Sequence, residues 1–167
     1  MTKASDFTHD ERELLFILPF LVAGTSLAIV HVGVLKAMRT AISFYSIIRD
    51  TSQQFPDDEC IQSIFALRGE NEHSVDNELL KKHEAHTKEE ALTLRNQVCE
   101  QALGILSEKA QPQEVENYKR WLLQVASECL DRAHSNGFLG LGRAKAEAEI
   151  RQALQDFRQV LHLEQDA

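Results

Sequence analysis

The densest set of side chains able to hold a metal is His83-Glu84-Ala85-His86, followed by Glu89 and Glu90. On a helix, His83 and His86 would stand one turn apart, and His86 and Glu90 would share a face at four-residue spacing. Imidazole with carboxylate suits zinc, iron or manganese. The pattern is not H-E-x-x-H, whose histidines stand four apart so that both reach one zinc ion. Nor does the sequence place two Glu-x-x-His motifs on separate helices, as a di-iron bundle requires. Lys81, Lys82 and Lys88 interleave with the cluster. The expected reading is therefore a solvated face of mixed charge, with no metal or other cofactor, and metal binding through His83, His86 and Glu90 is the alternative.

Other chemistry-bearing residues are more isolated. His31 lies in an apolar stretch, where a lone imidazole is usually hydrogen-bonded within the core; a ligand role would need a partner that the sequence does not identify. His134 stands beside the connector Gly137-Phe138-Leu139-Gly140-Leu141-Gly142. The connector precedes a helix whose first turn carries Arg143 and Lys145, an arrangement able to cradle an anion. It follows no strand and matches neither glycine-rich phosphate motif. A tight turn between helices is expected instead, with Phe138, Leu139 and Leu141 plugging the bundle end or forming an apolar contact surface. Cys129 and His134 are five apart with no third group to orient a nucleophile. Trp121 beside Lys119-Arg120 is too sparse a basic-aromatic patch for nucleic acid. Cys60, Cys99 and Cys129 are odd in number, widely spaced and set among apolar neighbours, which predicts reduced core thiols.

The elements that would position these residues are helices. Thr8 with Glu11 and Thr87 with Glu90 each fit a capping box, in which hydroxyl and carboxylate satisfy free amides reciprocally. Phe55-Pro56 ends the first block of about fifty residues, and Pro56 suits the first turn of a short helix carrying Cys60, Ile61, Ile64, Phe65 and Leu67. A polar stretch over 69–77 predicts a loop. Helix resumes near Asn77 and runs towards Leu106, with Thr87 as a candidate restart; Leu92, Val98, Cys99, Ala102, Leu103 and Leu106 form its stripe. Ala110-Gln111-Pro112 predicts a stop and restart. Val115, Tyr118, Leu122, Val125, Cys129 and Ala133 then make the cleanest amphipath, which Asn136-Gly137 closes. The last helix runs from about Arg143 to Leu163 along the seam Ile150, Leu154, Phe157 and Leu161, which suits a core or a homodimer contact. No convincing strand pattern occurs.

Leu14 to Leu35 is the most unusual segment: 22 residues with His31 as the one ionisable group. Its length matches the roughly 20 residues of a membrane-spanning helix. Acidic residues precede it and Lys36 and Arg39 follow, an order that would leave the C-terminal bulk in the cytoplasm. Pro19, Gly24-Thr25-Ser26 and Gly33 weaken such a span, and Pro19 or the Gly24-Thr25-Ser26 stretch could kink the run or break it into two helices. Gly24, Ala28 and His31 follow one helical stripe, as expected where another helix packs closely. A helix buried all round in a soluble bundle is the expected reading, and a membrane anchor or docking helix over 14–35 is the alternative.

The chain has 167 residues, the length of one domain, with a net charge of −8, 43% hydrophobic and 26% charged residues. These values exclude wholesale disorder and disfavour binding to phosphate backbones. With 7 Gly and 3 Pro the chain also lacks the turn residues of a strand-dense fold. The fold class expected is all-α: an up-and-down bundle of five or six helices over 1–167, with a very hydrophobic hairpin or kinked helix in 1–52 and amphipathic helices in 53–167.

Trp121-Leu122-Leu123-Gln124-Val125-Ala126, followed by the GFLGLG connector, resembles a family of small uncharacterised bacterial helical proteins. That family is similar in its tryptophan-leucine helix, its GFLGxG connector, a final acidic, alanine-rich helix and a segment like Pro19-Phe20-Leu21-Val22. Arg143-Ala144-Lys145 departs from the family pattern, which continues with a further glycine. The resemblance implies a compact soluble bundle and no particular chemistry. Taken together, the residues predict a non-enzymatic, cytoplasmic interaction or structural module. It would bind a protein partner or a second copy through a helix face or the 137–142 connector, with Trp121, Phe138, Leu139 and Leu141 as contact residues. The alternatives are membrane association through 14–35, with peripheral or single-pass attachment, and a small-ligand or metal-binding bundle.

Overall fold

The computed structural model describes residues 1–29, 41–66, 83, 85–135 and 143–163. Among them are six α-helices and one short 3-10 turn, with no strand. After the turn Ala4–Asp6 come α1 (His9–Ile29), α2 (Ala41–Ser52), α3 (Glu59–Ala66), α4 (Lys88–Lys109), α5 (Pro112–Ser135) and α6 (Arg143–Val160). The fold is an all-α bundle, as the periodicity predicts.

The first helix is its centre. α1 packs chiefly against α4 and α5, and also touches α2 and α3. Every residue from Leu15 to Phe20 is buried, so the helix is covered on all sides over this stretch. Leu15, Ile17, Leu18 and Val22 have no exposed surface. At about 1.5–3 kcal/mol for each large apolar side chain removed from water, this helix is a main source of stability. The greasy segment, as far as Ala28, is thus covered by the chain's own helices. No helix among the described residues is long and apolar enough to cross a membrane. The part of the run from 30 to 35, with His31 and Gly33, lies outside the described residues.

Neither suspected break interrupts α1. A proline has no amide hydrogen, so Pro19 leaves the carbonyl of Leu15, four residues earlier, without its helical donor. The Tyr118 hydroxyl of α5 donates to that carbonyl oxygen at 2.8 Å, in a fully buried position. Burial pushes the Tyr118 phenol well above its ordinary range, so the group stays a donor. At Gly24-Thr25-Ser26 the hydroxyls turn back onto their own helix. Thr25 Oγ1 donates to the carbonyls of Leu21 at 2.7 Å and Val22 at 3.1 Å, and Ser26 Oγ to Val22 at 2.7 Å. Both side chains are buried without an unsatisfied hydroxyl. The close helix contact expected at Gly24 is absent, since a Cβ there would meet nothing within 4 Å.

Caps set most boundaries. Thr8 and Glu11 form their box, with the Thr8 amide donating to Glu11 Oε2 at 2.7 Å and the Glu11 amide to Thr8 Oγ1 at 3.3 Å. Pro56 does not open α3. The helix starts three residues later, where Asp58 Oδ1 accepts from the Ile61 amide at 3.1 Å. An aspartate cap satisfies a free amide that a proline cannot, which moves the start. The Gln62 side chain then closes the end of α2, donating to the carbonyls of Ser52 and Phe55. The buried face of α2 is Phe44, Ile47, Ile48 and Thr51, and Tyr45 is half-buried. α6 ends at Val160 rather than Leu163: His162 takes a left-handed φ of 51°, and the Leu163 amide returns to the Arg158 carbonyl.

A buried carboxylate ties the chain's first residues to the turn between α4 and α5. Glu114 accepts from the Thr2 amide at 2.8 Å, the Thr2 hydroxyl at 2.7 Å and the Gln111 amide at 2.9 Å. Burial alone would raise the Glu114 carboxyl, but these hydrogen bonds outweigh it and hold the group below its ordinary value. A depressed folded-state pKa contributes stability that is present above the unfolded value and lost as pH falls through the folded one. Glu114→Gln is therefore expected to cost about 1–2 kcal/mol at neutral pH. It should also flatten the loss of stability on acidification below the ordinary carboxylate range, as read by urea denaturation at pH 7 and about pH 3. An unchanged slope would show that Glu114 is not the linked group.

Candidate functional site

The predicted site residues do not assemble as the spacing suggested. His83 lies in a turn and His86 in a bend, both upstream of α4, so the helical geometry assumed for the cluster does not exist there. Helix cannot run unbroken from Asn77 to Leu106, because Ala85 to Thr87 are non-helical. Glu90 is committed to the cap instead of pairing with the His86 ring. Its Oε2 accepts from the backbone amides of His86 at 2.9 Å and Thr87 at 3.3 Å, while its own amide donates to Thr87 Oγ1 at 3.1 Å. Among the described residues no group of three or more His, Cys, Asp or Glu converges on a metal position.

Trp121 is no surface contact. It has no exposed area, and its indole nitrogen donates to Thr51 Oγ1 at 3.1 Å. It falls on the core face of α5 because the buried arc there is wider than the predicted stripe, taking in Trp121, Ala126 and Leu130 as well. The seam of α6 is likewise spent within the chain: Ile150, Phe157 and Leu161 are buried and Leu154 packs against the core. The connector residues Phe138, Leu139 and Leu141, with the whole of 137–142, lie outside the described residues, as do His31 and the side chain of His134. The thiols of Cys60, Cys99 and Cys129 are buried and pushed up to about 12 by desolvation. Such thiols are protonated and poor nucleophiles at neutral pH.

What the structure does bring together is a groove between α4 and α6. These two helices are not a closely packed pair; α6 leans on α5, and α4 on α1 and α5. The space left is about 470 Å³, lined by Lys88, Leu92, Arg95 and Asn96 from α4 and by Glu149, Gln152, Ala153, Asp156 and Val160 from α6. Residues at three- and four-residue steps on each helix form its two walls, which is the natural lining of an interhelical groove.

Arg95 is the unusual member. Its side chain is buried, with 5% of the residue exposed, yet no carboxylate lies within ion-pair distance of it among the described residues. Nε and Nη2 both donate to one oxygen, Asn96 Oδ1, at 3.1 Å and 2.9 Å. The guanidinium carbon stands over the Phe157 ring, 4.4 Å from its centre, so the cation lies against the negative face of an aromatic ring. Desolvation lowers the Arg95 pKa from its ordinary value, and Asp156, beyond contact distance, partly offsets this. Arginine nevertheless remains charged in proteins, so the groove contains a desolvated cation. Asp156 is engaged from its own helix, accepting from Gln152 Nε2 at 2.7 Å.

The sequence stripe on α4 omitted Arg95 because a charged residue was not counted as core. The signal was present in the register: Arg95 stands four residues after Ala91 and four before Cys99, both buried. A second hollow of about 450 Å³, around Phe55, Asp58, Glu114 and Asn117, is different in kind. Its buried carboxylates already have partners, Glu114 in Thr2 and Gln111, and Asp58 in Ile61 and Asn117. Comparison of the chain with protein-family models, with curated proteins and with solved structures gives no match.

Proposed function

We propose that this chain is a non-enzymatic helical bundle that binds a small anionic ligand in the groove between α4 and α6. The observation that carries this reading is Arg95, a buried guanidinium lining an open groove with no carboxylate partner among the described residues. Leaving a charge desolvated without a counter-charge is costly, and a ligand that supplies one removes the cost. The groove volume lies within the roughly 300–1,000 Å³ of small-molecule sites.

A protein–protein surface, the expectation from the sequence, has less support on the described surface. Interfaces concentrate their energy in exposed aromatic and apolar anchors, and Met1 is the one exposed large hydrophobic residue among those described. The test is a fragment screen on the isotope-labelled full chain by two-dimensional amide NMR. Binders are expected to shift Leu92, Asn96, Gln152 and Ala153 together. Hits that scatter over the surface or gather at another site would overturn the reading.

A further inference from the structure

We infer that the groove recognises a monocarboxylate carrying an apolar body, with Arg95 receiving the carboxylate. This rests on the groove being a binding site, and goes further by naming the ligand class.

The donor geometry supplies the first part. A guanidinium has five N–H donors. Nε–H and one Nη2–H are taken by Asn96 Oδ1, and the guanidinium carbon stands over the Phe157 ring. That leaves both hydrogens of Nη1 and one of Nη2 without an acceptor among the described residues. These donors lie along the end of the guanidinium, one of the two edges that can hold a planar carboxylate through two parallel hydrogen bonds.

The walls supply the second part. Glu149 and Asp156 on α6 stand opposite Lys88 and Arg95 on α4, so the groove is close to neutral within a chain of net charge −8. A phosphate dianion or a polyanion would be repelled by the acidic wall, whereas a single carboxylate replaces one hydrated charge with one paired charge. Leu92, Ala153 and Val160 line the same space and offer an apolar body a place out of water.

Octanoate, kept below its micelle-forming concentration, is the probe, with octanamide, octylamine and inorganic phosphate as comparisons at pH 7. Titration of the full chain by NMR is expected to shift the Arg95 Nε–H signal and the amides of Leu92, Asn96 and Ala153 saturably with octanoate. Octanamide, which has the same body without the charge, should bind at least roughly tenfold more weakly, as the loss of a charge-assisted pair implies. Arg95→Lys keeps the charge but not the planar fork, and should weaken octanoate by a similar factor while leaving the affinity for octanamide unchanged. If that variant does not fold, the octanoate-to-octanamide ratio on the natural chain decides alone. Equal binding of octanamide, tighter binding of octylamine, or displacement of octanoate by phosphate would each overturn the inference. Should octanoate shift nothing while neutral fragments still occupy the groove, the carboxylate assignment falls and the groove stands. If neither binds, both fall.

Discussion

Trp121→Ala is expected to lower the free energy of unfolding by about 3–5 kcal/mol, the range for truncating a large aromatic in a close-packed core. The side chain has no exposed surface, so the full transfer term is lost. Its ring packs edge-on to Tyr118 at 5.4 Å between centroids, a geometry that adds to simple burial. The indole N–H donates to Thr51 Oγ1, whose own hydrogen goes to the carbonyls of Ile47 at 2.8 Å and Ile48 at 3.0 Å. Removing the indole thus opens a cavity at the seam of α2 and α5 and deprives a buried hydroxyl of its donor. Domains of this size have roughly 5–15 kcal/mol to lose, so the variant should be near the limit of folding. Urea denaturation followed by far-ultraviolet circular dichroism reads the change. A loss below about 1 kcal/mol would mean that Trp121 is not packed as described.

Tyr118→Phe is the more diagnostic substitution, because it removes one oxygen and leaves the ring. The Leu15 carbonyl would then be buried with neither the amide that Pro19 lacks nor the hydroxyl that replaces it. Leaving such an acceptor unsatisfied costs about 1–3 kcal/mol. The partner variant is Pro19→Ala, which restores an amide hydrogen at the position the helix would ordinarily use. In that background the penalty of Tyr118→Phe is expected to fall by at least half, a coupling that a double-mutant cycle isolates. Equal penalties in both backgrounds would show that Tyr118 and Pro19 act independently, and that α1 passes through its proline for another reason.

Local chemistry was readable wherever a residue acts on its own neighbours in the chain. Thr8 with Glu11 and Thr87 with Glu90 form their capping boxes because the partners are three residues apart, and no other element is needed to bring them together. The same holds for Pro112 at the start of α5 and for its stripe from Val115 to Ala133, which is buried throughout. Where a local signal had to compete with a side-chain cap, pattern alone did not decide: Pro56 pointed to the start of α3, but the helix begins at Glu59 because the Asp58 carboxylate reaches the Ile61 amide. The histidine cluster failed for a related reason. Glu90 can face the His86 ring only on a continuous helix, and its use as a cap ends the helix just before that ring.

The sequence by itself determined the class of the fold, the capping boxes at Thr8 and Thr87 and the apolar stripes at the centre of the buried faces of α5 and α6, since these depend on periodicity and on groups close in the chain. It could not decide what covers the apolar run of α1, because lipid tails and neighbouring helices demand the same residue types; α4 and α5 supply the cover as far as Ala28. Nor could it show that Tyr118, about a hundred positions away, completes the hydrogen bonding of α1. Arg95 follows the same logic. Its sequence neighbourhood reads as an ordinary charged helix, and only the approach of α6, placing Phe157 against the guanidinium and a groove beside it, turns it into a desolvated cation. Burial of a charge depends on long-range packing, so the Arg95 groove is the feature that local pattern had least power to reveal.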